Sequence, residues 1–473
     1  MSGGGQGGGK GLGRAKHAQA NHTPDAVPVK PMKGYGVPSE LERVHQVARK
    51  KRKERFSALL HHVDIARLRE AFERLSKKAA PGVDGVTWQA YGEALEDNLR
   101  DLLDRLGRGA YRARPSRRVY IPKADGRRRP LGIAALEDKL LQRAVVEVMN
   151  AIYEADFKGF SYGFRPGRSQ HNALDAVYMG LTRKKVNWIL DADIRGFFDN
   201  VDHKWLIEFV EHRIADPRIV RLIRKWLSAG VLEGGRWSPS REGTPQGATI
   251  SPLLGNIYLH YALDLWADQW RRKHARGEVF IVRSTRLVVG FQYQDDAVRF
   301  HAELAQRLGK FSLELHPDKT RLFEFGRFAD RDRRNRGAGK PETFDFLGFT
   351  HISGKSHRGR FQVVRQTSRK RMTAKLKQIK VELMRRRHWS IPQQGAWLRA
   401  VVQGHFNYYA VPLNGESLKA FLRSIHRSWI CALRRRSQKH RMPWERFYRH
   451  CDRWLPTPKT IHPWPSQRLR VNT

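Results

Sequence analysis

The chain has 473 residues and carries 90 Lys and Arg against 46 Asp and Glu, which gives a formal net charge of +44. Such a charge predicts a polyanionic partner bound with strong salt dependence, and it disfavours a role in small-molecule metabolism. A hydrophobic content of 40% argues against wholesale disorder, and the length corresponds to about three folding units.

The cysteine content and the hydropathy pattern restrict the compartment. Cys431 and Cys451 are too few for a disulfide framework or a Cys-rich zinc site, so we expect a reduced, cytoplasmic protein. The most apolar stretch, residues 248–266, is interrupted by a proline and by polar residues and is not expected to span a membrane. Residues 1–40 are predicted to be a disordered, basic, Gly-rich tail.

Helical periodicity dominates from Leu41 to Leu106, and around Arg117 the pattern becomes strand-like. The segment RRVYIPKADGRRRPLGI predicts a hairpin with its turn at ADGR. Basic residues flank this turn and could clamp phosphates, although a solvated basic hairpin explains them equally well. They are Lys123, Arg127, Arg128 and Arg129.

A hydrophobic strand beginning at Trp188 runs directly into Asp191 and Asp193. Side chains alternate along a strand, so both carboxylates are predicted to share one face. A carboxylate at the end of a buried strand suits Mg²⁺, which prefers oxygen ligands. A single aspartate is, however, more often a helix cap or a turn residue.

Three further segments follow in chain order. The segment TPQGATISPLLGNIYL predicts a Gly/Pro loop over residues 243–247 and an apolar helix from Ile250. Lys319 is predicted to lie in a turn between a helix and a strand, and FDFLGF predicts an edge hairpin. Taken singly, these features are common in many folds.

Beyond about Arg360 the chain is rich in basic helical segments. Cations on these helices, with Trp389 and Trp397 nearby, predict salt-sensitive contacts to RNA and stacking on unpaired bases. The alternative is a solvated cationic face. The cations predicted to contact RNA here are Lys375, Lys377, Lys380, Arg385, Arg386 and Arg387.

The order of these features, together with FSYGFRPGRSQHNAL, TPQGATISPLLGNIYL and GHFNYYAVP, closely resembles bacterial group II intron reverse transcriptase/maturase proteins from about Arg43 onward. The resemblance implies an α+β, right-hand polymerase. Its fingers and palm, with an antiparallel sheet, would occupy residues 41–350, and a helical, basic thumb or maturase region would occupy residues 351–473. It also implies intron or other structured RNA and a primer-template as partners.

The resemblance further implies individual roles. Asp193 would bind catalytic Mg²⁺ together with the backbone carbonyl of Ile194, and FLGF would grip the primer end. Residues implied to bind the incoming dNTP are Lys123, Arg129, Phe198 (as a steric gate), Gln246 and Lys319. No Cys/His cluster of an HNH endonuclease follows, so we expect none.

One family motif is absent from its expected place. Family members carry Tyr-x-Asp-Asp at a palm hairpin tip, whereas this chain reads IVRSTRLVVGFQ and is one residue shorter. Ser284, Thr285, Arg286 and Leu287 replace the motif, and Arg286 would repel Mg²⁺, so impaired polymerisation is expected. The replacement is compatible with a natural substitution, a decayed gene or a sequence error.

A second YxDD string, Tyr293-Gln294-Asp295-Asp296, follows shortly after. The apolar stripe that begins at Ala297 indicates that Asp295 and Asp296 lie in the first turn of a helix, where carboxylates favour the helix dipole. The alternative is a shifted active site in which these aspartates act with Asp193. The first interpretation predicts an RNA-binding maturase with impaired polymerisation, and the second an active RNA-directed DNA polymerase.

Overall fold

Helices and three small sheets alternate along the chain as far as residue 367 in a computed structural model of the protein. The structure describes residues 39–122, 128–240, 242–245, 247–437 and 442–468. The expected α+β class is confirmed, because the helices and the mainly antiparallel strands share common apolar cores. No helix in these ranges is long and apolar enough to cross a membrane.

The helices of the described chain are named in order. They are α1 (Ser39–Lys50), α2 (Ile65–Glu73), α3 (Trp88–Glu93), α4 (Leu95–Gly107), α5 (Leu136–Asp156), α6 (Gln170–Arg183), α7 (His203–Glu211), α8 (Pro217–Ser228), α9 (Ser251–Leu259), α10 (Leu265–Lys273), α11 (Gln294–Gly309), α12 (Ala329–Asn335), α13 (Arg369–Arg385), α14 (Ile391–Tyr409), α15 (Gly415–Arg434), α16 (Trp444–Trp454) and α17 (Pro465–Arg468).

The strands are named in the same way. They are β1 (Ser116–Pro122), β2 (Arg128–Ile133), β3 (Trp188–Ala192), β4 (Val231–Glu233), β5 (Arg236–Ser238), β6 (Val279–Arg283), β7 (Leu287–Phe291), β8 (Arg321–Glu324), β9 (Phe344–Phe346), β10 (Phe349–Lys355) and β11 (Phe361–Thr367).

The central sheet has the order β6-β7-β3-β8 and is antiparallel throughout. Alternate residues of β3 enter two different cores: Leu190 joins the large helical core, and Ile189 joins a smaller core beneath α6 and β11. Burial on both faces explains why β3, β6 and β7 are almost continuously apolar. Within this sheet Ala192 pairs with Leu287, which brings the end of β3 beside the start of β7.

The basic hairpin predicted near Arg117 is present as β1 and β2, which pair antiparallel from Arg117↔Ile133 to Pro122↔Arg128. β4 joins β1 in parallel and carries β5 at its other edge. The predicted turn lies outside the described residues, as do Lys123 and Arg127. Arg128 and Arg129 lie at the start of β2.

Strands precede the helices in the region that was predicted to form a helical thumb, residues 351–473. β10 begins at Phe349, pairs with β9 across the FLGF turn, and continues into the β10–β11 hairpin, so the helical region begins at Arg369. The turn itself fits the predicted edge hairpin, because Leu347 and Gly348 both have positive φ, of 46° and 84°. The first helix after residue 351 therefore begins at Arg369, and the strands before it belong to the sheet of β9, β10 and β11.

Helices α13 to α16 enclose a second apolar core. After α16 the chain returns to the first part of the molecule, where Arg468 binds Asp175 on α6. Asp175 is fully buried and also accepts a hydrogen bond from Arg365 of β11, at 3.0 Å. The C-terminal described segment is thereby anchored to the layer beneath the central sheet.

The Phe280 ring lies between two glycines, and this contact yields a stability prediction. A β-carbon at Gly290 would lie 2.1 Å from the ring, and one at Gly180 2.5 Å from it. We expect Gly290→Ala to lower the free energy of unfolding by about 1–3 kcal/mol in urea titrations, because the core is overpacked. Gly309→Ala is the control: it meets open space at the end of α11 and should be neutral or stabilising. Equal effects of the two changes would contradict this packing.

Candidate active site at the tip of the β6–β7 hairpin

Asp193 follows the last residue of β3 and is held there by backbone pairing. Ile194 forms an isolated antiparallel bridge with Leu315. In the flanking bonds, the His316 N–H donates to the Asp193 carbonyl at 2.7 Å and the Arg195 N–H to the Glu314 carbonyl at 2.9 Å. This pairing extends the strand beyond Ala192 and directs the Asp193 side chain towards the turn that precedes β8.

The β6–β7 hairpin brings Ser284, Thr285 and Arg286 to the same place. Its tip is tight, since the Ser284 N–H donates to the Arg286 carbonyl at 2.8 Å. Gly163 packs against the tip, where an added β-carbon would lie 3.1 Å from the Ser284 backbone. The prediction that Ser284–Leu287 replaces the family motif at a hairpin tip therefore agrees with the geometry.

A buried ion pair anchors the base of this hairpin. Arg283, the last residue of β6, is 3% exposed and binds Asp264 through two nitrogens, each at 2.7 Å from a carboxylate oxygen. The same guanidinium donates to the Asn256 side-chain oxygen at 3.1 Å and to the Ser161 hydroxyl at 2.5 Å. With four acceptors satisfied, Arg283 fixes where the next three residues emerge.

Arg286 points back across the sheet and joins three segments. One of its nitrogens lies 3.1 Å from the Asp191 carboxylate in β3. The guanidinium also donates to the Lys319 and Asp345 carbonyls, each at 3.1 Å. Arg286 thus holds β3, the turn before β8 and β9 together.

Burial raises the pKa of Asp191 to about 6, and the neighbouring Arg286 and Arg321 guanidinium groups oppose that rise. One carboxylate oxygen faces Arg286, while Oδ1 has no hydrogen-bond partner within the described chain. Asp191 is 3% exposed, so its charge depends strongly on the nearby cation.

Lys319 occupies the predicted turn, and its ammonium lies 3.1 Å from the Asp193 carboxylate. Each carboxylate at the end of β3 therefore contacts a cation from this chain. In the ranges that the structure describes, no group of three or more His, Cys, Asp or Glu side chains could hold a metal ion. These residues do not fit a pair of Mg²⁺ ions, since an ammonium group lies beside Asp193 and a guanidinium lies beside Asp191.

The second YxDD string lies at the other end of the sheet. Asp295 and Asp296 begin α11, as the helical stripe predicted. Asp296 accepts the backbone N–H groups of Arg276 and Gly277 at 2.9 and 3.1 Å. Five residues of β7 separate this turn from the hairpin tip, roughly 17 Å of strand, so the structure does not favour the shifted active site.

The loop before α9 lies between Phe198 and β2. The Thr244 N–H donates to the Phe198 carbonyl at 2.7 Å. Gly247 has φ of 107°, and an added β-carbon would lie 2.6 Å from the Gly132 carbonyl of β2, so this close approach requires glycine. Phe198 and the basic hairpin thus contact one loop, while Gln246 of that loop is outside the described residues.

The cations predicted on the C-terminal helices are not equally available. Arg386 lies 4.7 Å from the ring centroids of both Trp389 and Trp397 and binds Glu382 at 2.9 Å. Arg386 therefore contacts both rings in this structure, and stacking of Trp389 and Trp397 on bases stays a prediction.

The other predicted cations differ in their exposure and in their contacts within the chain. Arg385 is also paired with Glu382, at 3.1 Å, and Arg387 contacts His388. Lys375 is half-buried, and burial lowers its pKa. Lys377 and Lys380 are exposed on α13.

Sequence reasoning missed one residue of this site, namely Asp191 as the partner of Arg286. The sequence predicted that Asp191 shares a face with Asp193, but it did not identify a cationic partner. Local sequence patterns do not specify that the Arg286 side chain extends from the hairpin tip to Asp191.

Comparison with known proteins identifies the family to which this chain belongs. Residues 121–351 match the family described as reverse transcriptase (RNA-dependent DNA polymerase). The chain is 36% identical over 326 residues to Protein YkfC of Escherichia coli (strain K12), covering 61% of this chain and 81% of YkfC. It is 36% identical over 240 residues to Group II intron-encoded protein LtrA of Lactococcus lactis subsp. cremoris, covering 50% of this chain and 39% of LtrA.

A third relative is the Uncharacterized 91 kDa protein in cob intron of Schizosaccharomyces pombe. It is 45% identical over 146 residues, which are 31% of this chain and 18% of the relative. The matched region of the reverse transcriptase family includes β3, the hairpin tip and the turn at Lys319. The chain belongs to the group II intron reverse transcriptase/maturase family.

The Arg286–Asp191 contact predicts a pH-dependent loss of stability in Arg286→Gln. Asp191 has a folded-state pKa of about 6, above the unfolded value, so it favours the folded state at acidic pH, and this contribution disappears as the pH rises through 6. Without Arg286 that pKa rises further. We expect a loss of about 1–3 kcal/mol in unfolding free energy at pH 8 and a smaller loss at pH 5, measured by urea titration.

The control pairs the same change with Asp191→Asn, which removes the buried charge and should recover most of the stability at pH 8. Lys319→Gln should cost less than about 1 kcal/mol, because Lys319 is 52% exposed. An Arg286→Gln loss of the same size at both pH values would be inconsistent with a charge effect.

Proposed function

We propose that this protein is an RNA-binding maturase of the group II intron type whose ability to polymerise DNA is strongly impaired. The observation that carries the proposal is the Arg286 guanidinium, at the hairpin tip where the family motif has carboxylates, 3.1 Å from Asp191. The proposed partner is structured intron RNA, by analogy with relatives named as intron-encoded proteins.

The loss of polymerisation follows from electrostatics. In two-metal catalysis, carboxylates hold two cations about 3.5–4 Å apart to stabilise the attacking and leaving oxygens. Here Asp193 contacts Lys319 and Asp191 contacts Arg286, so both negative charges are already compensated. A metal ion would have to displace an ammonium group and remain beside a guanidinium, without the two aspartates of the family motif.

We further propose the right-hand arrangement for this fold. The sheet of β1, β2, β4 and β5 would belong to the fingers, the central sheet would form the palm, and the helices from α13 onward would form the thumb. The implied dNTP pocket remains part of this proposal, with Phe198 and Arg129 beside the loop before α9. Its other members are Lys123, Gln246 and Lys319.

RNA binding is supported by the distribution of charge. The whole chain carries +44, and exposed cations such as Arg128 on β2 and Lys377 and Lys380 on α13 lie outside the carboxylate site. Cations of this kind bind phosphates and release counterions, which gives affinity without polymerisation.

Primer extension on an RNA template with Mg²⁺ and dNTPs tests the proposed loss of chemistry. We expect no cDNA from the natural chain, and measurable cDNA from a variant in which residues 284–287 are replaced by Tyr-Ala-Asp-Asp-Phe. The physical reason is that the replacement removes the guanidinium and restores the missing carboxylates. Adding Asp193→Ala to the repaired variant is the control and should abolish its activity.

If the natural chain extends primers and its own Asp193→Ala variant does not, the proposed impairment is wrong. If neither the natural nor the repaired chain extends primers although both fold, the missing motif is not what limits activity.

Salt dependence of RNA binding tests the other half of the proposal. In filter binding with a structured RNA, Lys377→Gln combined with Lys380→Gln should weaken binding and reduce the slope of log K against log salt by up to about 1.8. Arg224→Gln with Arg334→Gln removes equal charge from cations paired with Glu211 and Asp330, and should change the slope less. The same slope in both double variants would count against RNA contact by α13.

A further inference from the structure

Two large aromatic side chains lie side by side on the surface of α16. Trp444 and Tyr448 are 43% and 48% exposed, and their ring centroids lie 5.7 Å apart with an interplanar angle of 26°. They are one helical turn apart, while Phe447 between them is fully buried in the core of the C-terminal helices. α16 therefore packs through Phe447 and presents the pair to solvent.

The pair is held in place by α15. The His426 ring packs edge-on against Tyr448 at 6.1 Å, and the Arg434 guanidinium lies 5.4 Å from the Trp444 centroid. Arg434 is itself fixed, because it donates to the Met442 carbonyl at 3.1 Å. These contacts orient the rings while leaving nearly half of each side chain exposed.

A row of cations runs along α15, the helix that contacts the aromatic pair through His426 and Arg434. Lys419, Arg423 and Arg427 follow at intervals of four residues and share one side of the helix, and Arg435 comes directly after its last residue; all four are exposed. Arg423 and Arg427 form no salt bridge within the described chain, whereas Lys419 pairs with Glu416 at 2.9 Å.

The acidic residues on α16 near the rings are Glu445 and Asp452. Neither forms a salt bridge with Arg423 or Arg427 within the described ranges. The surface thus combines two aromatic side chains, each nearly half exposed, with a row of cations on α15.

We infer that Trp444 and Tyr448 form a stacking site for unpaired RNA bases, with Arg423 and Arg427 contacting the adjacent phosphates. Single-stranded nucleic acids are bound by this combination of cations and aromatic faces, whereas the bases of a duplex are stacked inside it. The inference rests on the proposed RNA binding and adds a preference for single-stranded segments at this surface. The cations on α15 favour RNA over an apolar protein as the partner.

Fluorescence anisotropy with the full chain tests the site, using a labelled, unstructured, adenosine-rich RNA of about twelve nucleotides and a blunt duplex of the same length. Tyr448→Leu and Trp444→Leu should each weaken single-strand binding by about tenfold or more, leaving the salt slope and duplex affinity unchanged. Tyr448→Phe keeps the ring and should retain the natural affinity.

Arg423→Gln with Arg427→Gln should instead reduce the salt slope for the single strand by up to about 1.4. Trp237→Leu is the matched control, because Trp237 is a tryptophan that is 56% exposed on β5 and outside this pair, and it should leave single-strand affinity unchanged. Circular dichroism and thermal midpoints verify the fold, and Tyr448→Leu decides the question if Trp444→Leu is unstable.

Natural single-strand affinity in folded Tyr448→Leu, or an equal loss for duplex and single strand, would overturn the stacking site while leaving RNA binding intact. Failure of the natural chain to bind either RNA would instead refute the proposed function. A protein ligand captured at this surface together with unchanged RNA binding would also overturn the inference.

Discussion

The contact between Arg286 and Asp191 controls the organisation of the candidate site. A carboxylate that is 3% exposed needs a positive partner, and this partner comes from a hairpin tip rather than from a metal ion. Since the same guanidinium also binds the Lys319 and Asp345 carbonyls, it fixes the turn before β8 and the start of the β9–β10 hairpin. Arg286 is thus an internal counterion and a link between three segments.

The fold does not depend on the chemistry that its relatives are named for. The central sheet is stabilised by apolar residues on both faces and by Arg283, which is buried against Asp264 at the base of the hairpin. These interactions lie outside Ser284, Thr285 and Arg286 at the hairpin tip. The buried charge of Asp191, by contrast, is compensated from the tip, by Arg286.

Much of this arrangement could be predicted from sequence, because its signals are local. The apolar run of β3, the helical stripe of α11 and the FLGF turn each follow from short-range periodicity or turn chemistry. The contacts of long side chains were not predictable in that way. Arg286 reaches Asp191 of β3, and Arg386 lies over the rings of two tryptophans. The β10–β11 hairpin was not predicted, because the basic composition that begins near Arg360 does not distinguish its second strand from the helices that follow.

The anchoring of Arg468 on Asp175 has a consequence for the order in which the chain folds during synthesis. Asp175 lies on α6 and is fully buried, yet its two cationic partners, Arg365 and Arg468, lie 190 and 293 residues further along the chain. As the ribosome releases the chain, α6 must wait for β11 and then for the C-terminal segment before this carboxylate is compensated. A nascent chain that ends before β11 therefore leaves this buried charge unpaired, and the second contact forms only after the C-terminal helices have emerged.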